Sequence, residues 1–311
     1  MTLYSVRDNT LKQVNEVKID LERDVQRLTE QNLEAIFGLQ FISTEFERNQ
    51  LRIDTLAFDR ENKAFVIIEY KRDRSFSIVD QGYAYLALLL NNKAEFILEY
   101  NERTGTALRR DDVDWSQSRV IFVANSFTIH QRQAINFRDL PLELWEVQRY
   151  EDDLISYSQI KPLDTSASIK TISKNSTIQE VSKEVSVHSV DEHFTGSRSA
   201  IRPLYEQFRE QLITAFPNLQ ENPRGKYIGF SFGSNGSDTL VYVHPKSSWI
   251  WLDIPRIVPD DVNDISGRLH YKEGSLENKN TPVSQFKIQT EEDFDYAIPI
   301  LREVYKKTHT K

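Results

Sequence analysis

The sequence predicts an α/β domain on a mixed sheet flanked by helices, followed by a small α+β domain. Three observations predict it. Apolar strand-like runs alternate with amphipathic helical ones through the first half, the pattern of an α/β layer. A polar stretch without aromatic residues interrupts the chain after residue 160. Beyond it, short strands resume between two helices.

A chain of 311 residues fits two domains of ordinary size better than one. Its 39% hydrophobic and 28% charged residues supply two modest cores plus a polar segment. No cysteine is present, which excludes a disulfide framework, a thiolate zinc site and a cysteine nucleophile. That composition fits a reducing cytoplasm, the expected location. No apolar run approaches the roughly 18 residues of a membrane span, and the N-terminus lacks a signal-peptide pattern. The net charge of −8 argues against a general nucleic-acid coat but leaves room for a local basic groove.

In chain order, Leu21, Val25, Leu28 and Ile36 recur near helical spacing, so a helix is expected over 19–37 with Gly38 as its stop. LRIDTLAF, the turn DRENK and AFVIIEYK make Leu51–Lys71 an antiparallel strand pair. A helix over 77–91 follows, with Ser77 as N-cap. Strands are expected at AEFILEY, RVIFVAN and LELWEVQRY, with a helix near HQRQAINF. The Ser-, Thr- and Lys-rich stretch reads as a mobile linker. The domains are therefore placed at 1–159 and 194–311, with the linker over 160–193. The second domain opens with a helix ending before Pro217, continues through strands at KYIGFSFG, TLVYVHP and SWIWLDIP, and closes with a helix.

The chemistry concentrates in FVIIEYKRDR. Side chains alternate along a strand, so Ile67, Glu69 and Lys71 share one face and Val66, Ile68 and Tyr70 the other. Asp54, on the preceding strand, comes beside Glu69 if the pair closes antiparallel. Buried charges need partners or a cation, since desolvating each alone costs several kcal/mol. Mg²⁺ suits such a site, taking one or two carboxylates with waters and a phosphate oxygen. Lys71 would orient, or help deprotonate, an attacking water. The bland reading is a solvated cross-strand ion pair. Against it stand the continuous apolar run before Glu69 and the second apolar strand carrying Asp54.

Arg52-Ile53-Asp54, Glu69-Tyr70-Lys71, Gln81 and Tyr85 resemble the PD-(D/E)XK nuclease superfamily. More narrowly they resemble its NucS-like branch and a bacterial family labelled "predicted transport proteins". The resemblance covers about residues 3–150 and implies a restriction-endonuclease-like core. It implies that Asp54, Glu69 and the Tyr70 carbonyl hold Mg²⁺ or Mn²⁺ and that Lys71 is the catalytic lysine. Gln81 and Tyr85 would support the site, and their i,i+4 spacing does put both on one helix face. A glutamate early in the first helix is also typical; Glu22 fits best, with Glu30 as the alternative. Ile53 stands where the family has proline. Arg52, Arg72 and Arg74 are candidate phosphate contacts.

Other motifs carry less. GSNGSD at 233–238 lacks the Lys-Ser/Thr of a P-loop and reads as a hairpin loop. Trp249 and Trp251 share a strand face, where base stacking is conceivable but burial in the core is expected. SGRLHYKEG and FDYAIPILREVYKK resemble a small accessory domain of unknown function. The expectation is a metal-dependent DNA endonuclease of defence or repair, with RNA left open as substrate, no membrane partner, and a twofold dimer. Its rival is a catalytically silent binding module on the same fold.

Overall fold

The computed structural model describes residues 3–17, 22–48, 51–71, 77–137, 139–163, 167–169, 173–232, 238–274 and 281–309. The chain divides into two compact units, Met1–Val187 and His188–Lys311.

The first unit opens with a hairpin of β1 (Leu3–Arg7) and β2 (Thr10–Val14), turned by Asp8 and Asn9 at φ 47° and 61°. Two positive φ values match the right-handed strand twist, as short hairpin turns require. β3 (Glu16–Val17), α1 (Glu22–Gln31) and α2 (Leu33–Phe37) follow. The single expected helix is thus two, and Gly38 ends the second at φ 65°. Residues 18–21 lie outside the described ones.

β4 (Gln40–Arg48), β5 (Leu51–Asp59) and β6 (Ala64–Lys71) are antiparallel; β7 (Arg119–Ala124) and β8 (Leu142–Tyr150) then continue parallel to β6. With β9 (Ile155–Ile160) on β8, the result is a mixed sheet ordered β3-β8-β7-β6-β5-β4. Helices lie on both faces. Phe65 and Ile67 point into the cluster under α3 (Ile78–Asn91), while Val66, Ile68 and Tyr70 join Val25 and Phe37 under α1 and α2. This is the two-faced burial that makes β6 a continuous apolar run.

α3 starts at the expected Ser77, whose Oγ accepts from the Asp80 amide at 3.4 Å. Gly82 lets it press on β8: a Cβ there would stand 2.4 Å from Leu142 Cδ2. Gly82→Ala is expected to cost about 1–3 kcal/mol through overpacking. A thermal melt checks this; an unchanged or raised midpoint would show that Leu142 simply yields.

Two expectations are corrected. AEFILEY is not a strand but part of α4 (Lys93–Thr104). Phe96 and Tyr100, one helical turn apart, bury together against Phe65 at 5.8 and 6.2 Å, and Gly105 at φ 68° stops the helix. The 160–193 stretch is not wholly a linker either. Beyond α5 (Ile129–Ala134), the helix expected near HQRQAINF, it contributes α6 (Ser176–Glu184), capped by Asn175 and packed on α3. Ile178 and Val181 fall on one side of that helix and, with Val185 just past its end, join the core with Ile169. Three apolar residues suffice because α3 offers the apolar surface they need. The units therefore divide at Val187/His188.

The second unit holds α7 (Arg202–Ala215), β10 (Gln220–Pro223), β11 (Ile228–Ser231), β12 (Thr239–Pro245), β13 (Ile250–Pro255), β14 (His270–Tyr271), β15 (Val283–Ile288) and α8 (Phe294–His309). Its sheet runs β10-β11-β12-β13-β15-β14. Val243 and Leu252 pack with Phe208 and Leu212 of α7 and Leu301 of α8 on one face. Trp249 and Trp251 are not in that core; both are half-buried on the opposite face. The parity of the strand decides it, since Ile250 and Leu252 take the inward positions. Fully buried Asp253 shares the outer face, with Lys272 at 2.5 Å, Gln285 at 2.7 Å and His244 at 3.3 Å. Burial pushes its carboxyl up, but His244, Lys272 and Gln285 more than offset this and hold it well below the usual range. Of GSNGSD, only Asp238 lies among the described residues.

Candidate active site

The register brings the predicted carboxylates together. Thr55 pairs with Ile68, so Asp54 and Glu69 stand one step beyond that pair, on the α3 side of the sheet. Asp54 is half-buried, and its Oδ2 accepts from the Tyr70 amide at 3.0 Å, which fixes it across the strand gap. Glu69 is only 4% exposed. Its Oε1 accepts from Lys71 Nζ at 2.6 Å and from Gln81 Nε2 at 3.0 Å. Its Oε2 is buried and takes no hydrogen-bond donor among the described residues.

α3 supplies the rest of the cradle. Gln81 Nε2 also donates to Tyr85 Oη at 3.1 Å, and Tyr85 Oη donates to the Arg52 carbonyl at 3.2 Å. Glu69, Gln81, Tyr85 and the β5 backbone thus form one chain of hydrogen bonds, anchored at both ends by secondary structure.

The electrostatics point one way. Burial raises the Asp54 carboxyl above its ordinary value, against the lowering influence of the Tyr70 amide and Lys71. Burial raises Glu69 as well, and the neighbouring Asp54 charge adds to it. Burial, then Glu69, pushes the Tyr85 phenol up too, so it stays a neutral donor. Asp54 and Glu69 stand next to each other across the β5–β6 pair, and each acts on the other's ionisation. Two ionised carboxylates so placed repel; Lys71 offsets part of that repulsion, and a shared proton or cation would relieve the rest.

That unmet acceptor is what a hard divalent cation would fill, and the oxygen donors suit Mg²⁺ or Mn²⁺. Among the described residues no group of three or more His, Cys, Asp or Glu could hold a metal. Two carboxylates with a backbone carbonyl and solvent remain within what Mg²⁺ accepts.

The other predicted residues divide. Arg52 is exposed, 4.0 Å from Glu45. Glu22 opens α1, but its side chain lies outside the described residues, as do Arg72 and Arg74. Glu30, the alternative helix acid, is on the opposite face. It accepts from Thr55 Oγ1 at 2.6 Å, on the side of Ile68 and Tyr70, and so does not join the pair. Its neighbour Gln26 went unnoticed in the sequence. Gln26 Nε2 donates to the Asp54 carbonyl at 3.0 Å and to Glu30 at 3.1 Å, bracing β5 from behind. Its i,i+4 spacing to Glu30 was the only available signal.

No helix among the described residues is long and apolar enough to cross a membrane. No family model matches the chain. Among solved structures, the chain is similar to a repair endonuclease from Pyrococcus abyssi at 18% identity and TM-score 0.21. That match covers 38% of this chain and 43% of the other. EndoMS in its apo form matches at 19% and TM-score 0.24, over 43% of this chain and 59% of that one. An EndoMS–dsDNA complex matches at 17% and TM-score 0.21, over 42% and 57%. Each match therefore spans less than two thirds of the solved chain. An uncharacterized protein of Haemophilus influenzae is 38% identical over 311 residues, covering 98% of this chain and 100% of its own. At that identity and coverage, this chain belongs to the same family as the Haemophilus protein.

Proposed function

We propose that this chain is a metal-dependent endonuclease that hydrolyses phosphodiester bonds in DNA. The observation that carries the reading is the buried, donor-less Glu69 Oε2 beside Asp54. A buried carboxylate pair offset only in part by Lys71 is costly to keep in a core, and a cation site gives it a purpose. Asp54, Glu69 and the Tyr70 carbonyl would hold Mg²⁺ or Mn²⁺. When bound, the cation neutralises charge on the scissile phosphate and favours attack by water. Lys71, held on Glu69, presents its ammonium to the phosphate oxygens and orients the water. Gln81 and Tyr85 fix the Glu69 rotamer. Glu22 would add a further acid from α1, and Arg52, Arg72 and Arg74 would meet flanking phosphates. Defence or repair in the cytoplasm is the setting this chemistry fits, and a twofold dimer would bring two sites to two strands.

The closed Lys71–Glu69 pair favours a second reading, a silent binding module in which the two residues only satisfy each other. Plasmid and oligonucleotide cleavage with Mg²⁺ and Mn²⁺ separates the two. Lys71→Ala is expected to lower the cleavage rate by at least about 10²-fold while the fold, followed by circular dichroism, persists. If the variant cuts as well as wild type, the enzyme assignment fails. Calorimetry with Asp54→Asn as control adds the metal arm, and silence in both proteins would favour the module.

A further inference from the structure

The outer face of the second unit's sheet carries a row of rings that its own core does not use. His244 of β12 stands opposite Trp251 of β13, and Trp251 stands opposite Lys287 of β15. Ile228 pairs with Val243, so Tyr227 falls beside His244, their ring centroids 5.8 Å apart. Tyr227, His244, Trp251 and Lys287 therefore form one line across four strands. Alternation turns all four away from the core, and all are half-buried. At the strand spacing of a sheet the line is about 14 Å long.

Cations flank this row at the same end of the sheet. The turns into β11 and β13 carry Arg224, Lys226 and Lys246, and each is closed by a 2.8 Å backbone bond, Arg224 to Tyr227 and Lys246 to Trp249. Lys226 and Lys246 are exposed, and Lys287 Nζ sits 4.4 Å from the Trp249 ring centre. None of these four cations has an acidic partner among the described residues. Asp253, the next outward residue of β13, is already held by Lys272. On a chain of net charge −8, this face is locally basic.

From this arrangement we infer that the outer face binds single-stranded DNA, with unpaired bases stacked on Tyr227, His244 and Trp251. Arg224, Lys226, Lys246 and Lys287 meet the phosphates. Rings on a sheet take any base, because every base has a π-face, whereas a duplex keeps those faces covered. The inference rests on the nuclease reading only in choosing DNA over RNA.

The test is fluorescence anisotropy of the full chain with a labelled 15-nucleotide oligothymidylate in EDTA. Trp251→Ala is expected to weaken binding about tenfold and Trp251→Phe much less. An abasic strand of the same length, and the corresponding duplex, should each bind at least about tenfold more weakly. Three or four phosphate contacts predict a slope of log K on log salt of about −2 to −3. Should Trp251→Ala unfold the unit, the exposed pair Lys226→Glu with Lys246→Glu carries the test through a flattened salt slope. Wild-type affinity in Trp251→Ala, or equal binding of the abasic strand, overturns the proposal. Tighter binding of the RNA counterpart overturns the choice of DNA. Because binding is read without divalent cation, absence of cleavage would leave this result standing, and absence of binding would leave the cleavage result standing.

Discussion

In EDTA the Glu69→Gln protein is expected to be about 1–3 kcal/mol more stable than wild type, and the metal-dependent cleavage proposed for this chain should fall by at least about 10²–10³-fold. Both effects have one origin. Wild-type Glu69 keeps one oxygen buried without a donor, beside the Asp54 carboxylate. Glutamine keeps an acceptor for Lys71 and Gln81, replaces the orphan oxygen with a donor, and removes the repulsion between like charges. A functional site that costs stability in the empty state is a common trade. The same substitution should erase any rise in melting temperature on adding Mg²⁺ or Mn²⁺, because cation binding to the folded state alone is what produces it. Differential scanning fluorimetry with a cation titration reads both parts. A destabilised Glu69→Gln protein with the cation response intact would mean that Glu69 serves only its pair with Lys71.

What the sequence revealed of this site was its alternation. FVIIEYK has a period of two and an apolar run, and together these place Glu69 and Lys71 on one face of a buried strand end. Ser77 and Gly38 were legible for the same local reason, since a cap depends on the residues beside it. α4 was not, because AEFILEY is apolar enough for a strand and only the partners of Phe96 and Tyr100 settle its period. α6 hid its two apolar residues, and Val185 just past its end, among Ser, Thr and Lys, which are usual on a solvated surface. β10 and β14 are edge strands of four and two residues, too short to show a period. Within the site, Gln26 escaped notice because its partner is the main-chain carbonyl of Asp54, and a carbonyl leaves no mark in the sequence. The displacement of Glu30 to the other face depends on where α1 crosses the sheet, which is a tertiary fact.

The same limit hid the first unit's buried ion cluster, and there the largest loss of stability is expected. Arg119, at the start of β7, has a side chain only 8% exposed. Its Nη1 lies 3.0 Å from Asp59 Oδ2 and its Nε 2.8 Å from Glu143 Oε1. Burial alone would lower the guanidinium's proton affinity, but Glu143 and Asp59 more than restore it. Each acid has further donors: Asn62 on Asp59 at 2.8 Å, and Trp145 Nε1 on Glu143 at 2.9 Å. Arg119→Met removes the guanidinium that Asp59 and Glu143 share and leaves both carboxylates short of a cation at a buried position. A loss of about 3–5 kcal/mol is expected, a large part of a domain's total stability. Arg119→Lys should fall between, since an ammonium restores the charge but cannot fork to both acids. Adding Asp59→Asn and Glu143→Gln to Arg119→Met should recover part of the loss, because the penalty lies in the stranded charges. Urea denaturation of the three variants measures this. A loss below about 1 kcal/mol in Arg119→Met would mean that water or protons already neutralise the acids. Asp59 is five residues along β5 from Asp54, about 17 Å at strand rise. Below its melting temperature, the Arg119→Met protein should therefore keep the wild-type response to Mg²⁺, separating the stability of this sheet from the chemistry at its other end.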